Sequence, residues 1–586
     1  TINFGNNSEF FPSTTNSTAI ELKSSFANNR SNNLIVGFTN VLDDRGAIGQ
    51  DFPRVTIRDG SNNIVFGTEP FSTTNQLKSK MLTITDNYTM YNNNHTWTFG
   101  THNEYGTFYN AFIGNNYGTY TFGDLATFLA SGNSIDYERS YSLVDSKSGD
   151  GTAAAAEFET LQVGVYAQDE IAINSRLKVT AGLRIDVPMY LNKPKEDTYF
   201  NNTTIPLLEA AGYDLNGARV GEMPDPQIMF SPRVGFNYDI SGDRTTQLRG
   251  GLGIFTSRIP FVWPGASYNN NGVLVGQIPG FPNPTVPFRP DPFNQYVGAD
   301  LGATVASPSG DINIFEKKFK FPQIFRTSIG VDKKVPSGIV VSLEGIYTKT
   351  LNNVNYQQLN TAEPTFNLAG QDNRPRWDRG TRIDNTYNRI LLGTNTNKGY
   401  SYNLTAQASK EFVSGLAVNV GYTFGRSKAV NDGTSSQNSS QWRYIENVNG
   451  KNRLDLTYSD FDLGSRIIAG VNYRKEYLGH MATTISLFYN GQSGERFSYI
   501  YRGQLANDDP GSGSTEADLI YVPREFGTYA EALAAGEIRL LPITGDNPKT
   551  EEQQWQELNQ YIKSDDYLNE RRGDYAERNG SRLPFT

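Results

Sequence analysis

The sequence predicts an all-β protein, a large antiparallel β-barrel that crosses a membrane with its strands and carries long extracellular loops. Three observations predict this fold: strands that alternate between apolar and polar side chains, connections that alternate between short and long, and a polar composition. Mean hydropathy is -0.51, and hydrophobic residues make up 37% of the 586-residue chain. No apolar run approaches the roughly 18–20 residues that a membrane-spanning helix needs, so helical spans are excluded.

Alternation with a period of two is clearest between Leu161 and Val187. In Leu161–Ile171 the apolar residues share one face, with Asp169 as the charged exception near the strand end. Leu177–Val187 repeats the pattern. Because successive side chains of a strand point to opposite sides, each segment has one apolar and one polar face. Each segment is about 11 residues long, which is the length of a tilted membrane-spanning strand.

The same pattern recurs in pairs of strands. Four further pairs are Phe230–Ile240 with Thr246–Thr256, Phe325–Val335 with Ile339–Lys349, Tyr400–Lys410 with Leu416–Phe424, and Ile467–Tyr473 with Met481–Tyr489. The pattern before Thr160 is less clean. Two more hairpins are predicted there, Ala19–Phe26 with Asn33–Val41 and Leu77–Met90 with Thr96–Asn103.

Connection length separates a membrane barrel from its alternatives. Connections within pairs are short and contain turn residues: Ala172–Arg176, Ser241–Thr245, Pro336–Gly338, Glu411–Gly415 and Arg474–His480. Connections between pairs are long: Pro188–Met229, Ser257–Ile324, Thr350–Gly399 and Gly425–Arg466. In an outer-membrane barrel the short turns are periplasmic and the long loops lie outside. A soluble sandwich or propeller also has alternating strands, but its loops need not alternate in length, so the pattern favours the membrane barrel.

The two faces predict which residues meet water and which meet lipid. The lumen is predicted to be lined by Gln162, Glu170, Lys178, Arg184, Arg233, Asn237, Arg249, Arg326, Asn403 and Gln407. Lipid contact is predicted for Val163, Val165, Val179, Ala181, Leu183, Val234, Phe236, Leu404, Ala406, Val418 and Val420.

Two long connections, Ser257–Ile324 and Gly491–Phe585, are expected to fold over the outer mouth, because their Phe, Tyr and Pro content favours packed structure. Loops longer than about 12–15 residues are usually functional or disordered. Pro260–Phe293 holds eight prolines and is predicted as an extended loop, since proline cannot donate to a ladder. Short helices are expected at Gly123–Ala130, Tyr529–Ala535 and Glu551–Lys563.

Loop side chains supply the candidate binding residues. The candidate substrate-binding residues are Phe261, Trp263, Phe281, Phe288, Phe293 and Tyr296. These aromatic residues either pack into a core of the loop itself or contact a ligand. Asp508, Asp509, Glu516 and Asp518 form a candidate calcium site, because hard cations bind clustered oxygen ligands. They lack EF-hand spacing, and a solvated acidic loop is the alternative.

The sequence contains no motif that indicates nucleic-acid binding, catalysis or a bound metal. A net charge of -9 argues against nucleic-acid binding, and the absence of cysteine excludes disulfides and thiolate sites. No phosphate-binding loop, serine nucleophile elbow or zinc-protease motif is present. His95 and His102 fall on opposite faces of one strand, so they cannot easily share a metal. We predict no enzymatic activity, no cofactor and no metal.

Several motifs carry a resemblance to a known family. They are Phe66–Thr73, Asn94–Glu104, Tyr166–Glu170 followed by Ala181–Asp186, Phe230–Phe236 followed by Leu248–Gly251, Asp518–Pro523 and Arg578–Phe585. Together they resemble the barrel of Oar-like TonB-dependent outer-membrane receptors of Bacteroidota. The resemblance runs from about residue 30 to the C-terminus.

The resemblance implies a 22-stranded barrel in the outer membrane of a Gram-negative bacterium, with part of those strands in this chain. Such a receptor binds a solute with its outer loops and plug, and imports it with energy from the inner membrane. Residues 1–586 then correspond to the barrel domain, and the plug and last strands are expected to be missing. Thr1-Ile2-Asn3-Phe4 is not a signal peptide, so the chain is expected to be a mature product or a fragment.

The implied partners are outer-membrane lipid and lipopolysaccharide, the TonB complex through a plug, and a surface lipoprotein. The implied cargo is a peptide, protein or oligosaccharide. Two other functions stay open from the residues alone. One is a passive porin or surface adhesin built on a barrel, and the other is a soluble carbohydrate-binding β-protein.

Overall fold

The computed structural model describes residues 1–27, 29–278, 284–302, 310–378, 380–509, 517–545 and 547–586. Its main feature is a sheet of seventeen strands that curves into a barrel. Fourteen long strands of this sheet form the wall, and its other three strands are Asp311–Phe315, Arg389–Thr396 and Thr457–Tyr458. The wall strands are β1 (Ser13–Phe26), β2 (Arg30–Asp44), β3 (Asn75–Asn92), β4 (His95–Phe112), β5 (Ala156–Ala172), β6 (Leu177–Tyr190), β7 (Met229–Asp239), β8 (Thr246–Thr256), β9 (Gln323–Lys334), β10 (Val340–Gln358), β11 (Gly399–Glu411), β12 (Leu416–Ala429), β13 (Gly464–Tyr477) and β14 (Met481–Gln492).

The wall is a run of antiparallel hairpins. β1 and β2 pair along their length, and so do β3 with β4 and β5 with β6. Hairpins follow one another through ladders such as β4 with β5 and β6 with β7. Connections within hairpins are tight, and those between hairpins are long. The predicted alternation of short and long connections is therefore confirmed, and we call the two rims of the barrel the turn end and the loop end.

Registers across the wall confirm the predicted division into two faces. Val165 lies opposite Ile185, and Ala181 lies opposite Val234, so the predicted lipid-facing residues share one side of the sheet. Large apolar residues on that side are exposed: Leu183 is 44% exposed and Leu404 is 55% exposed. That side is the outer surface of the barrel. A protein that faces water does not leave a band of apolar residues open around its circumference, whereas lipid covers such a band.

Loop structure covers the opposite, inner face at the loop end. Phe158 of β5 stacks between Phe108 and Tyr268 with ring centroids 4.9 Å apart on each side. Tyr268 belongs to helix Val262–Asn269, which lies within the connection between β8 and β9. The loops therefore fold into the mouth of the barrel. We call the structure at the loop end, formed by the segment before β1, the connections between hairpins and the segment after β14, the cap.

The cap contains the remaining secondary structure. Its strands are Ile2–Asn3, Glu9–Phe10, Gly46–Ala47, Arg54–Asp59, Asn62–Phe66, Thr119–Phe122, Asp136–Glu138, Ser140–Ser142, Val275–Gln277, Asp311–Phe315, Phe366–Asn367, Pro375–Arg376, Arg389–Thr396, Thr457–Tyr458, Arg496–Phe497, Tyr521–Val522, Asp574–Tyr575 and Ser581–Arg582. Its α-helices are Leu125–Leu129, Ile205–Ala210, Val262–Asn269, Asn438–Arg443, Tyr529–Ala534, Glu551–Ser564 and Asp566–Glu570; single turns of other helix types span Gly5–Asn7, Pro70–Ser72, Phe200–Thr204 and Gly298–Leu301. The three predicted loop helices are confirmed.

Two loop predictions need correction. The proline-rich stretch is not extended throughout, because it contains helix Val262–Asn269 and strand Val275–Gln277. Pro264 is tolerated in the first turn of that helix, where its missing N–H has no partner to lose. The predicted loop Thr350–Gly399 also begins as strand, since β10 continues to Gln358 and pairs there with Arg389–Thr396.

One boundary of the wall differs from all others. β14 and β1 are neighbours in the order of the sheet, yet in the described residues each has a residue-by-residue ladder to one neighbour only, β13 and β2. Both strands are open to solvent on nearly every residue. Leu487 on the outer face and Phe488 on the inner face are 71% and 68% exposed. We call this boundary the seam.

The facing assignment predicts opposite responses to the same charge on the two faces of β6. Leu183→Arg places a cation on the outer face and should cost roughly 2–4 kcal/mol of barrel stability at mid-bilayer. Thr180→Arg, on the inner face of the same strand, should cost little. Heat-modifiable gel mobility of the folded barrel measures both. Equal yields for the two variants would contradict the assignment.

Candidate functional site

The mouth of the barrel is bridged by helix Val262–Asn269. Phe261, at its start, packs on Phe108 of the wall with ring centroids 4.7 Å apart. On its far side, Trp263 Nε1 donates to the Ser435 carbonyl at 2.9 Å, and Asn438 Nδ2 donates to the Trp263 carbonyl at 3.0 Å. The helix therefore joins wall strands β4 and β5 to the loop that follows β12.

Most of the predicted substrate-binding residues form the cores of the cap. Trp263 is buried with Phe315, Phe319, Tyr356 and Trp442. Tyr296 is buried in a second cluster with Val55, Tyr120 and Tyr137, and Phe288 packs against it. Their aromatic surface is used for packing. Contact with a ligand stays a prediction for these residues.

Phe293 is more open, whereas Phe261 is partly buried against the same core as Trp263. Phe293 is 38% exposed, and it contacts the Tyr117 ring and the Lys147 ammonium. Phe261 lines a small cleft together with Met81, Glu104 and Gln162 of the inner wall. Phe281 lies outside the described residues. Among the described residues of the predicted set, Phe293 is thus the one with exposed aromatic surface.

A buried ion-pair cluster ties four parts of the cap together. Arg389 Nε donates to Asp509 Oδ1 at 3.0 Å, and Arg443 Nε donates to Asp509 Oδ2 at 2.9 Å. A nitrogen of Arg389 also lies 3.6 Å from an Asp311 oxygen. Burial opposes the charged form of Asp509, but the two guanidinium groups outweigh it and lower its pKa to about 2. These carboxylates and arginines come from four different segments of the cap.

A second buried pair lies beside the first. The Lys451 ammonium pairs with an Asp508 oxygen, and the Lys451 backbone N–H donates to the other Asp508 oxygen at 2.7 Å. Burial opposes the charge on Lys451, but Asp508 and Asp518 raise its pKa. Asp508 and Asp509 are thus neutralised by the protein's own cations.

This arrangement bears on the candidate calcium site. Asp518 accepts a hydrogen bond from the Ala506 backbone N–H at 3.0 Å, and Glu516 lies outside the described residues. Within the part of the chain that the structure describes, no group of three or more His, Asp or Glu side chains is arranged to hold a metal ion. Asp508 and Asp509 are also not the solvated acidic loop of the alternative interpretation, because both are buried.

The inner wall carries paired charges, as predicted for the lumen-facing residues. Arg184 donates to both oxygens of Asp186, at 2.8 and 2.7 Å. Arg249 pairs with Asp332 at 3.0 Å and with Glu344 on the neighbouring strands. The periodicity identified these arginines as inward-facing, but not their partners, because cross-strand pairing depends on register.

The histidines also lie where the sequence analysis placed them, on opposite faces. His95 faces outward and its Nδ1 lies 2.7 Å from Asp169 Oδ2, so the one charged exception on the apolar face of β5 has a partner. His102 faces inward and its Nε2 lies 2.9 Å from Glu104 Oε1. Glu104 also accepts from Arg258 of the cap at 3.0 Å. Neither histidine forms a metal site with the other.

Comparison with known proteins places this architecture in a family. The family model described as "Outer membrane beta barrel domain" matches residues 3–518. The chain belongs to this family and is located in the outer membrane of a Gram-negative bacterium. No curated protein sequence matches the chain. No helix in the described segments is long and apolar enough to cross a bilayer.

Solved structures resemble this chain at low sequence identity. The outer membrane transporter YddB from Escherichia coli is 11% identical, with a TM-score of 0.50, and the match covers 85% of this chain and 53% of YddB. The ferric yersiniabactin uptake receptor FyuA from Yersinia pestis is 8% identical, with a TM-score of 0.40, and the match covers 86% of this chain and 52% of FyuA. The chain thus spans about half the length of the solved structures it resembles.

The buried cluster predicts a large effect of Asp509→Asn on the cap. Removing one partner of a buried ion pair costs about 3–5 kcal/mol, because the remaining charges stay buried. The wall does not depend on this contact, so the barrel should still assemble. Hydrogen exchange of Arg389–Thr396 and of helix Asn438–Arg443 should accelerate. The control is Glu363→Gln, which breaks the exposed pair with Arg453 and should cost at most about 1 kcal/mol. Equal rates of hydrogen exchange in the two variants would show that the buried ion-pair cluster does not hold these cap segments together.

The same cluster predicts a dependence on pH. A carboxyl whose pKa is lowered from 3.8 to about 2 by folding contributes stability above pH 4, and the contribution is lost as the pH falls towards 2. The difference corresponds to about 2 kcal/mol. The gap in cap stability between the wild-type chain and Asp509→Asn should therefore narrow between pH 4 and pH 2. A gap that is constant over this range would show that Asp509 is not the titrating group.

Proposed function

We propose that the chain is the barrel of a TonB-dependent receptor of the Oar-like type, which imports a solute across the outer membrane with energy from the inner membrane. The observation that carries the proposal is the packed cap. Helix Val262–Asn269 bridges the mouth, and a buried ion-pair cluster holds four cap segments together. A barrel with such a mouth suits a transporter that opens on demand.

The cap distinguishes this function from passive diffusion. A porin needs an aqueous opening at both ends, whereas the aromatic cores around Trp263 and Tyr296 fill the loop end here. The outward band of apolar residues and the family membership exclude the soluble carbohydrate-binding alternative. A surface adhesin built on a barrel would share both the packed cap and a polar inner wall, so the uptake experiment below is what distinguishes it.

The lumen and the seam are the positions where a plug and further wall strands of such a receptor would bind. We propose that a plug fills the lumen against the polar inner wall, and that further wall strands pair with the open edges of β14 and β1. Gln492, at the end of β14, already exchanges two backbone hydrogen bonds with Thr586, at 2.7 and 3.0 Å. In a bilayer an unpaired strand edge costs several kcal/mol per unsatisfied group, so these edges need partners.

The cargo class is a further part of the proposal. We propose a peptide, protein or oligosaccharide, taken up with the TonB complex as energy source and with a surface lipoprotein as a further partner. Exposed aromatic surface at Phe293 suits stacking on sugar rings or on apolar side chains. Polar edges of the cap suit peptide backbone.

The test is energy-dependent uptake by cells that carry the complete receptor. Cells receive fluorescently labelled peptides and oligosaccharides larger than a porin admits, with and without a protonophore. Accumulation should fall to the level of a receptor-deletion strain when the protonophore is present or TonB is absent. Uptake that survives both treatments would establish a passive pore, and surface binding without uptake would establish an adhesin.

A separate prediction concerns orientation. The tight turns should face the periplasm and the cap should face outward. In intact cells a cysteine introduced at Asp243, in the turn between β7 and β8, should resist a membrane-impermeant maleimide. A cysteine at exposed Leu129 of the cap should react readily. Reaction at Asp243 with protection at Leu129 would reverse the topology.

A further inference from the structure

A polar cavity opens on the inner wall among β5, β6, β7 and β8. Its volume is about 240 Å³, and its lining includes Gln162, Arg184, Ser231, Arg233, Phe255 and Thr256. All of them belong to the wall, so the cavity faces the lumen, which a solute reaches when the proposed plug is displaced. Residues of the buried clusters in the cap do not line it.

The cavity has an unbalanced positive charge. Asp186 also lines it, but this carboxylate is bound by Arg184 through three hydrogen bonds of 2.7 to 3.0 Å. Arg233 has no acidic partner in the described residues, and its buried Nε has no hydrogen-bond partner. A buried guanidinium nitrogen without an acceptor is costly, so the position favours an anion that supplies one.

The surroundings hold the Arg233 side chain in place without filling the space in front of it. Its guanidinium lies 5.0 Å from the centroid of the Phe255 ring. Its two cross-strand neighbours are Gly182 and Gly253, which carry no side chain. A Cβ atom at Gly253 would lie 2.9 Å from Arg233 Cβ. The glycines leave bare backbone on both sides of the arginine, as found where a ligand approaches closely.

Two neutral hydroxyl groups also line the cavity. Ser231 Oγ and Thr256 Oγ1 are 3.0 Å apart, and either can donate to the other. Whichever one donates, the hydrogen of the other hydroxyl is left for a ligand. Two hydrogen-bonding side chains and one unpaired cation therefore converge on one cavity.

A second cation lies two strands away on the same face. Gly253 pairs with Arg326 on its other side, so Arg233 and Arg326 flank one glycine, and their Cα atoms are roughly 10 Å apart at normal strand spacing. Arg326 Nε donates to the Thr348 hydroxyl at 3.1 Å, and it has no acidic partner in the described segments. This part of the wall thus presents two cations whose charge is not neutralised by the protein.

We propose that this cavity binds a carboxylate group, held by Arg233 and assisted by the Ser231 and Thr256 hydroxyls, with Arg326 attracting the anion from across Gly253. The proposal deepens the proposed import function, since it gives the solute a free carboxylate. The planar fork of an arginine matches the two oxygens of a carboxylate and binds them through two parallel hydrogen bonds. Two sources supply this group, the C-terminus of a peptide and the acid of a uronic sugar.

Equilibrium binding to the purified chain in detergent tests the site. The probes are N-acetyl-trialanine, the same peptide with an amidated C-terminus, digalacturonate and its methyl ester. Calorimetry should show saturable binding of at least one acid, with at least tenfold weaker binding of its neutral partner. Binding of acetyl-trialanine identifies a peptide carboxylate, and binding of digalacturonate identifies a uronic acid.

Substitutions locate the site. Arg233→Gln should weaken binding of the acid probe at least tenfold, and Arg233→Lys should restore part of it, since the charge returns without the fork. Arg249→Gln removes another inner-wall arginine, one that already holds Asp332 and Glu344, and should leave affinity unchanged. Heat-modifiable mobility confirms that each variant assembles.

The outcomes separate the site from the import function. No saturable binding of either acid, or equal affinity of the wild-type chain and Arg233→Gln, would overturn the carboxylate site. Binding in detergent needs neither TonB nor a membrane potential, so it is measured independently of uptake. The carboxylate site can therefore be confirmed even if uptake is passive, and it can be refuted even if uptake is energised.

Discussion

Backbone hydrogen bonding is the constraint on which the rest of this structure depends. A bilayer offers no water to the N–H and C=O groups of a spanning strand, so each strand must find both partners in its neighbours. The long antiparallel ladders of the wall meet this requirement from β2 round to β13, while in the described residues β1 and β14 each have a ladder on one side only. The alternation of faces follows, because a ladder fixes register, and register fixes which side chains meet lipid and which meet the lumen. The seam is the place where the ladder stops.

The cap obeys a different rule. Its segments lie outside the bilayer, pair only in short stretches, and depend on buried side chains for their arrangement. Asp509 holds Arg389 and Arg443, and Trp263 and Tyr356 anchor an aromatic core between loops. Hydrogen bonds hold the wall and side-chain packing holds the cap, so the two parts can lose stability separately.

The sequence predicted the wall more completely than the cap. Period-two alternation and turn residues are local signals, and they identified the wall strands and the two faces, including inward-facing Arg184 and outward-facing Leu183. Several strands are longer than predicted, such as Gly464–Tyr477, which extends into the predicted connection Arg474–His480. The contact between Arg389 and Asp509 joins residues 120 positions apart, and no local pattern contains it. Helix Val262–Asn269 was hidden by its prolines, and its position in the mouth depends on Phe108 and Phe158 of distant strands. Among the candidate site residues, Arg233 was recognised as inward-facing, but its lack of an acid partner depends on three-dimensional neighbours.

The buried cluster around Asp509 makes the loops mechanically interdependent. One carboxylate bonds a strand, a helix and the last loop at once, so none of these segments can leave its place without stripping charge from the others. The cap therefore does not open gradually, one segment at a time. Its segments keep their places together, and in the proposed import function the release of the cap would be a step distinct from the diffusion of the solute.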